Sequence, residues 1–382
     1  MKRKGITILA CIAVSILLLW LCNALWNSSY TFGKGDESII AAALSKKLAA
    51  GETKEIDEIL PVNTSYDRLL VPVVDGFGIP IGEVDITDRA KLAQLLSCLK
   101  EYDNYRYILC DIAFNDEYKT ADDSLLYGLI TSMQRIVIPS ESPVLPASLS
   151  QKAAPSAYKV FHHGDPFMKY QYLIDDERTI PLKMWNDISG NDLFRHWWGY
   201  SSTRRAISNS TAVLDLTHIL NYAKQTESSR EGNLNLEKKM VYHLGADILD
   251  ADCPPPMFED RIILIGDFFE QDMHDTAIGQ VPGVLLLYAA YRGLVDGANE
   301  VPAFCYFVLF LIFLAYSLLL AFHGGWRLSD KLLAFLADAF SFTLPLQVFN
   351  YLTLIFGGFS VNAVLIGSLF GFVSYIVSHV QK

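Results

Sequence analysis

The stretch Arg261-Ile-Ile-Leu-Ile-Gly-Asp-Phe-Phe-Glu-Gln-Asp-Met-His-Asp-Thr276 decides how this chain is read. Ile262, Ile263, Leu264 and Ile265 form a short apolar run with charge before it and glycine after it. A run of that length ending in Gly266-Asp267 predicts a fully buried strand that stops at a sheet's carboxyl edge. Past the edge come Asp267, Glu270, Asp272, His274 and Asp275, five titratable groups in nine residues. Open α/β sheets bind ligands just beyond the carboxyl ends of their strands. The stretch is therefore the first candidate for a site.

Working outward, Pro254-Pro255-Pro256 makes a stiff approach to this strand, the last of a parallel sheet. After the acidic segment, Pro282-Gly283 predicts a helix over residues 284–295 that leads almost directly into an apolar run at Val301. Movement of the acidic segment would pass into that run with little slack. Upstream, residues 67–75 read as the first strand, with Pro72 arguing for an edge or a bulge. Residues 76–82 read as a turn, because their glycine spacing and proline do not fit a phosphate cradle. A helix over 88–102 carries a stripe of Leu92, Leu95, Leu96 and Leu99, with Thr87 or Asp85 as its cap. A strand at 107–113, a helix at 121–133 and a strand at 135–139 follow. That alternation implies parallel pairing through right-handed crossovers. The fold class is α/β, a mostly parallel sheet flanked by helices.

The rest of the middle is less patterned. Residues 36–48 have a helical period and 51–61 read as a polar connector. The aromatic residues 194–200 read as a packed loop, 212–224 as a helix and 239–244 as a strand. His162-His163 reads as surface, since the pair lacks helical ligand spacing and has no cysteine nearby.

Composition sets the outer bounds. The chain has 382 residues, 51% of them hydrophobic and only 19% charged, with the apolar excess at the two ends. Its net charge of -11 gives no basic footprint for nucleic acid. Six cysteines show no CxxC spacing, so neither a zinc pattern nor a disulfide framework is expected; Cys98 and Cys110 read as small buried hydrophobes. Residues 6–26 carry no charge and are long enough to span a bilayer, longer than a cleaved signal core. Apolar runs at 301–322, 332–356 (interrupted by Asp338 and Pro345) and 360–380 close the chain. Lys2, Arg3, Lys4, Arg327, Lys331 and Lys382 fall on one side if there are four spans, one N-terminal and three C-terminal. This places residues 1–26 as an anchor, 27–300 outside the cell membrane and 301–382 as three spans with a short loop and tail. Both termini are then cytoplasmic. Asp338, an ionisable group inside a span, has either a functional role or a hydrated place near the inner interface.

At these residues the chain resembles a known family. The strand ending in Gly266-Asp267, then Asp272-Met-His274-Asp-Thr276, Gly279 and Val281-Pro-Gly283-Val, is similar to the closing motif of the second type of CHASE domain (cyclase/histidine-kinase-associated sensory extracellular). Val73-Val-Asp75, Cys110-Asp111-Ile-Ala-Phe114 and Asp122-Asp123 match its opening pattern in order. The resemblance covers roughly residues 30–380. Residues 76–82 stand where the family usually has a tryptophan-proline stretch. Family members usually carry a kinase or cyclase module after the last span, whereas this sequence stops at Lys382. The resemblance implies sensing in a bacterial periplasm, with output through a separate membrane or cytoplasmic partner and a possible homodimer. It names no ligand or cofactor.

The expected ligand-binding residues are Asp75, Asp111, Asp267, Asp272 and His274, with Thr276 and Gly283 shaping the loop. The competing reading is that these carboxylates cap helices and satisfy loop amides. If a metal binds, Asp272 and His274 are the best candidates. Three function classes follow: a membrane-anchored sensor, a structural subunit of a membrane complex without a small ligand, and a metal-assisted hydrolase. The absence of GxSxG, HExxH and any Ser-His-Asp pattern argues against the last, so no enzymatic activity is expected.

Overall fold

The computed structural model describes residues 2–27, 58–74, 76–77, 79–142, 144–156, 167–219, 241–269, 271–276, 279–323, 346–349 and 351–353. Asp75, Glu270, His162-His163, Asp338, Pro345, the helix expected at 36–48 and most of the last two apolar runs lie outside these residues.

The N-terminal helix α1 (Lys2–Trp26) leads to β1 (Ile59–Asn63). Strands β2 (Arg68–Val74) and β3 (Pro80–Thr87) form an antiparallel hairpin. Helix α2 (Arg89–Tyr102), β4 (Tyr107–Cys110), α3 (Asp123–Ser132), β5 (Ile136–Pro139) and β6 (Ala153–Ala154) follow. An excursion then contains β7 (Lys169–Gln171), β8 (Leu173–Ile174), β9 (Glu177–Arg178) and α4 (Ile180–Ser189). It continues with β10 (Leu193–His196), β11 (Gly199–Ser202), β12 (Ile207–Ser208) and β13 (Thr211–Val213). Strands β14 (Tyr242–His243) and β15 (Ile262–Gly266) return to the main sheet. Strands β16 (Met273–Thr276) and β17 (Gly279–Pro282) form a second hairpin, followed by α5 (Gly283–Asp296) and the apolar α6 (Ala303–His323).

The main sheet is parallel throughout, in the order β14-β1-β15-β4-β5-β6. The apolar run at 262–265 is its centre, because every residue of β15 is buried on both faces. Ile262 and Leu264 face a layer containing α4 and α5, while Ile263 and Ile265 face α2, α3 and the turn of π-helix at Leu244–Leu249. Burying a Leu or Ile side chain contributes roughly 1.5–3 kcal/mol, and both clusters draw on every central strand. Asp88, rather than Thr87 or Asp85, caps α2, its carboxylate accepting from the amides of Ala90 (3.0 Å) and Lys91 (3.2 Å).

Several expectations need correction. The first strand of the parallel sheet is Ile59–Asn63, which straddles the end of the expected connector. The run at 67–75 looked like a strand of the main sheet, yet among the described residues β2 pairs only with β3, and Leu70 is exposed. Pro72 has no amide to donate, which suits a two-stranded arm. The β4 strand stops at Cys110 instead of running to residue 113. Residues 211–213 pair with β7 as a strand where a helix was expected, and the aromatic 194–200 stretch is a hairpin rather than a packed loop. Cys98 is only partly buried.

Among the described residues, one helix segment, Lys4–Ala24, is long and apolar enough to cross a membrane; Ala303–Leu318 is a shorter apolar helix. The four-span arrangement is therefore not established. Helix α1 packs on α6 through Cys22, Leu309 and Phe313, while Ile6, Leu9, Leu17 and Trp20 remain exposed.

Candidate functional site

Strands β4, β5 and β6 end side by side, and each sends a polar residue past its carboxyl edge. Asp111 follows β4, Glu141 lies just past β5, and Ser156 lies just past β6. The β16–β17 hairpin folds across these ends, bringing Asp272 and His274 over them. Helix α5 begins underneath at Gly283, whose amide donates to the Asp272 carbonyl (2.8 Å). The result is a cavity of about 280 Å³. Asp111, Glu141, Asp272, His274 and Tyr170 supply polar groups, while Phe167, Leu286 and Leu287 supply apolar wall.

Inside it the groups are interlocked. His274 Nε2 lies 3.0 Å from Asp272 Oδ1. Loss of water, then the negative charge of Asp272 and a hydrogen bond to it, hold the Asp111 carboxyl well above the usual carboxylate range. The two carboxyl groups thus form a close pair, and burial beside Asp272 strengthens the hold of Asp111 on its proton. Tyr170 donates to the Ser156 carbonyl (2.9 Å), and burial keeps its phenol protonated far above the ordinary value. Ser156 Oγ donates to Glu141 Oε1 (2.7 Å), whereas Glu141 Oε2 has no hydrogen-bond partner among the described residues. Gly283 is required by close approach: a Cβ built there would lie 2.1 Å from Asp272 Oδ2. The Asp272 carboxylate therefore rests on the first turn of α5, where the helix dipole favours negative charge.

Four of the expected residues meet here: Asp111, Asp272, His274 and Gly283. Asp267 does not line the cavity. Its carboxylate turns toward β1, accepting from Ser65 Oγ (2.6 Å), Arg68 Nη2 (2.8 Å) and the amides of Phe269 (2.9 Å) and Gln271 (3.2 Å). That is the loop-bracing role open to any Asp just past a strand. Thr276 closes the hairpin turn, donating to the Gly279 carbonyl (2.6 Å). Asp75 lies outside the described residues. No three His, Cys, Asp or Glu side chains converge as a metal-holding set among the described residues; Asp272 and His274 engage each other instead.

Sequence reasoning missed Glu141, Tyr170 and Phe167. Glu141 carried a usable signal, because it follows the strand at 136–139 as Asp111 follows the one at 107–110. Tyr170 and Phe167 carried none. They belong to the excursion between β6 and β14, and only its folding back over the sheet brings them to the cavity.

The fold and this cavity define a class: a three-layer α/β domain with a pocket at the sheet's carboxyl edge, tied by one helix to an apolar helix. The chain belongs to the CHASE2 domain family, whose model matches residues 79–322, well over half of the sequence. The family comprises extracellular sensory domains. The match runs from β3 into α6 and so includes the whole cavity. No curated protein and no solved structure matches the chain.

Proposed function

We propose that this protein is a membrane-anchored sensor whose extracytoplasmic domain takes a small ligand in the carboxyl-edge cavity and passes its occupancy to the membrane helices. The observation that carries this reading is the placement of α5. Its first turn touches Asp272 in the cavity, and its last turn is separated from α6 only by residues 297–302. The 14-residue helix is about 21 Å long and almost wholly buried, so it moves as a unit. Glu58 grips it at the far end, accepting from Tyr288 (2.5 Å) and Arg292 (3.1 Å).

Beyond α5, the connection is clamped. The backbone N–H of Asn209 donates to the Asn299 carbonyl (2.8 Å), and that of Val301 donates to the Ile207 carbonyl (2.8 Å). Neighbouring Ser210 donates to the Asn27 side chain, just past the end of α1. The α1 end and the α5–α6 connection thus share one joint. In this reading α1 and α6 cross the cell membrane, the apolar runs at 332–356 and 360–380 are two further spans, and both termini are cytoplasmic. Output passes to a separate signalling partner, and the protein has no catalytic activity of its own. The cavity's carboxyl groups suit a small ligand that offers hydrogen-bond donors or a positive charge beside an apolar flank.

The test is a thermal-shift screen of small amines, amino acids and divalent cations on the full chain in lipid nanodiscs. A binding compound should raise the melting temperature, and Asp272→Ala should abolish the shift while leaving the fold intact. A shift that survives Asp272→Ala places the ligand elsewhere. A reporter fused after Lys382 should report cytoplasm; a periplasmic signal there breaks the four-span topology.

A further inference from the structure

We propose that the β10–β11 hairpin is an interfacial membrane anchor, its aromatic turn seated at the outer boundary between hydrocarbon and headgroups of the phospholipid bilayer. The proposal rests on the reading of α1 and α6 as membrane-crossing helices. The hairpin's turn presents Trp197, 90% exposed, flanked by Phe194 and Trp198 at 47% and 38%. Such a cluster facing water is costly and marks a contact surface.

Its position says what covers it. The turn does not stand off into solvent above the domain; it lies along the outer end of α1. Asn23 Nδ2 donates to the Trp198 carbonyl (2.8 Å), and Asn23 Oδ1 accepts from the hydroxyl of Tyr306 in the first turns of α6 (3.0 Å). Gly199, at φ +150°, makes this approach possible, because a Cβ there would lie 2.7 Å from Asn23 Nδ2.

The depth follows from helix geometry. The uncharged stretch at 6–26 has 21 residues and is about 31 Å long, matching a hydrocarbon core of about 30 Å. Trp26 therefore marks the outer edge of that core. Asn23 lies three residues inward, about 4.5 Å deeper. The turn beside it reaches the boundary between hydrocarbon and headgroups, where tryptophan is favoured because its ring is apolar and its N–H is polar. Exposed Phe304 and Phe307, at 70% and 56%, lie on α6 around Tyr306 and continue the aromatic belt.

The anchor also touches the joint. Strand β12 of the same sheet pairs with β11 and bridges Ser208 to Glu300 in the α5–α6 connection. A turn held at a fixed depth gives that joint a support independent of α1.

The experiment uses the full chain in vesicles of phosphatidylcholine brominated near the glycerol end of the acyl chains. The Trp197 signal is read as wild-type fluorescence minus that of Trp197→Phe, and the Trp20 signal likewise from Trp20→Phe. The expected Trp197 component is blue-shifted, quenched by the bromolipid and little affected by acrylamide. A component emitting as in water and quenched only by acrylamide overturns the proposal. So does one shielded from both quenchers, which would mean that protein covers the turn. Trp20, exposed on the outer half of α1, separates the two readings: if the bromolipid quenches Trp20 but not Trp197, only the anchor fails, and if it quenches neither, the membrane-spanning reading fails with it.

Discussion

Replacing Gly283 by Ala tests the contact between the cavity and the helix that leaves it. The added Cβ would meet Asp272 Oδ2 at 2.1 Å, where real Cβ contacts are not found under 3.0 Å. The carboxylate must therefore retreat by about 0.9 Å, the difference between those two distances. That movement breaks its 3.0 Å contact with His274 and its hydrogen bond to Asp111. Hydrogen bonds to a charged group contribute about 1.5–3 kcal/mol each when buried; the 37% exposure of the Asp272 side chain lets water replace part of both, which leaves a combined loss of about 2 kcal/mol. Alanine returns up to about 1 kcal/mol of helix propensity. The expected net loss is about 1 kcal/mol, or a fall in melting temperature of about 2–4 °C for a domain of this size. The sharper measurement is a double-mutant cycle with Asp272→Ala, followed by thermal unfolding in nanodiscs. With the carboxylate gone the clash goes too, so Gly283→Ala should be neutral or stabilising in that background. The coupling should reach about 1 kcal/mol, against roughly 0.3–0.5 kcal/mol for independent sites. Gly283→Ala melting at or above wild type, with additive effects in the cycle, would refute the contact.

Other outcomes follow from the same geometry. Asp111 is raised above its ordinary carboxyl value of 3.8, so the folded state holds a proton that the unfolded chain releases. Its contribution to stability is complete below 3.8 and lost as pH rises through the raised value; Asp111→Asn, which stays neutral, should flatten the wild-type fall in melting temperature with rising pH. Lys169, buried against the Trp26 ring, is pushed down from 10.5 to about 7 by loss of water. Between those values the unfolded chain binds more protons, so stability should rise with pH, and Lys169→Met should remove that slope. Asp267→Ala should cost about 2–4 kcal/mol in chemical unfolding, because it leaves Arg68 and two loop amides without their acceptor. Ligand-induced shifts at the cavity should survive that change in protein that still folds.

The alternation of short apolar runs with amphipathic helices was enough to predict a parallel α/β sheet. A run such as 262–265 is stable only when buried on both faces, and Leu92, Leu95, Leu96 and Leu99 fit only a helix with one apolar stripe. Local chemistry also indicated the helix beginning at Gly283, a strand opening at Tyr107, and the apolar segment at 6–26; the strand's end before Asp111 was not indicated, since the run reads on to residue 113. Strand partners were not legible, since Arg68–Val74 and Ile59–Asn63 look alike until pairing excludes one from the sheet. The site was half legible for a related reason. Asp267 and Asp272 are five residues apart in one acidic loop, and nothing local says that one braces the β1–β2 turn while the other crosses to Asp111 at the end of β4. The sequence by itself determined which residue types end up at the carboxyl edge, because strand period and strand ends are local properties. Only the tertiary structure decided which of them share a cavity, because that depends on where the β16–β17 hairpin and the excursion carrying Tyr170 fold back, over distances no local pattern records.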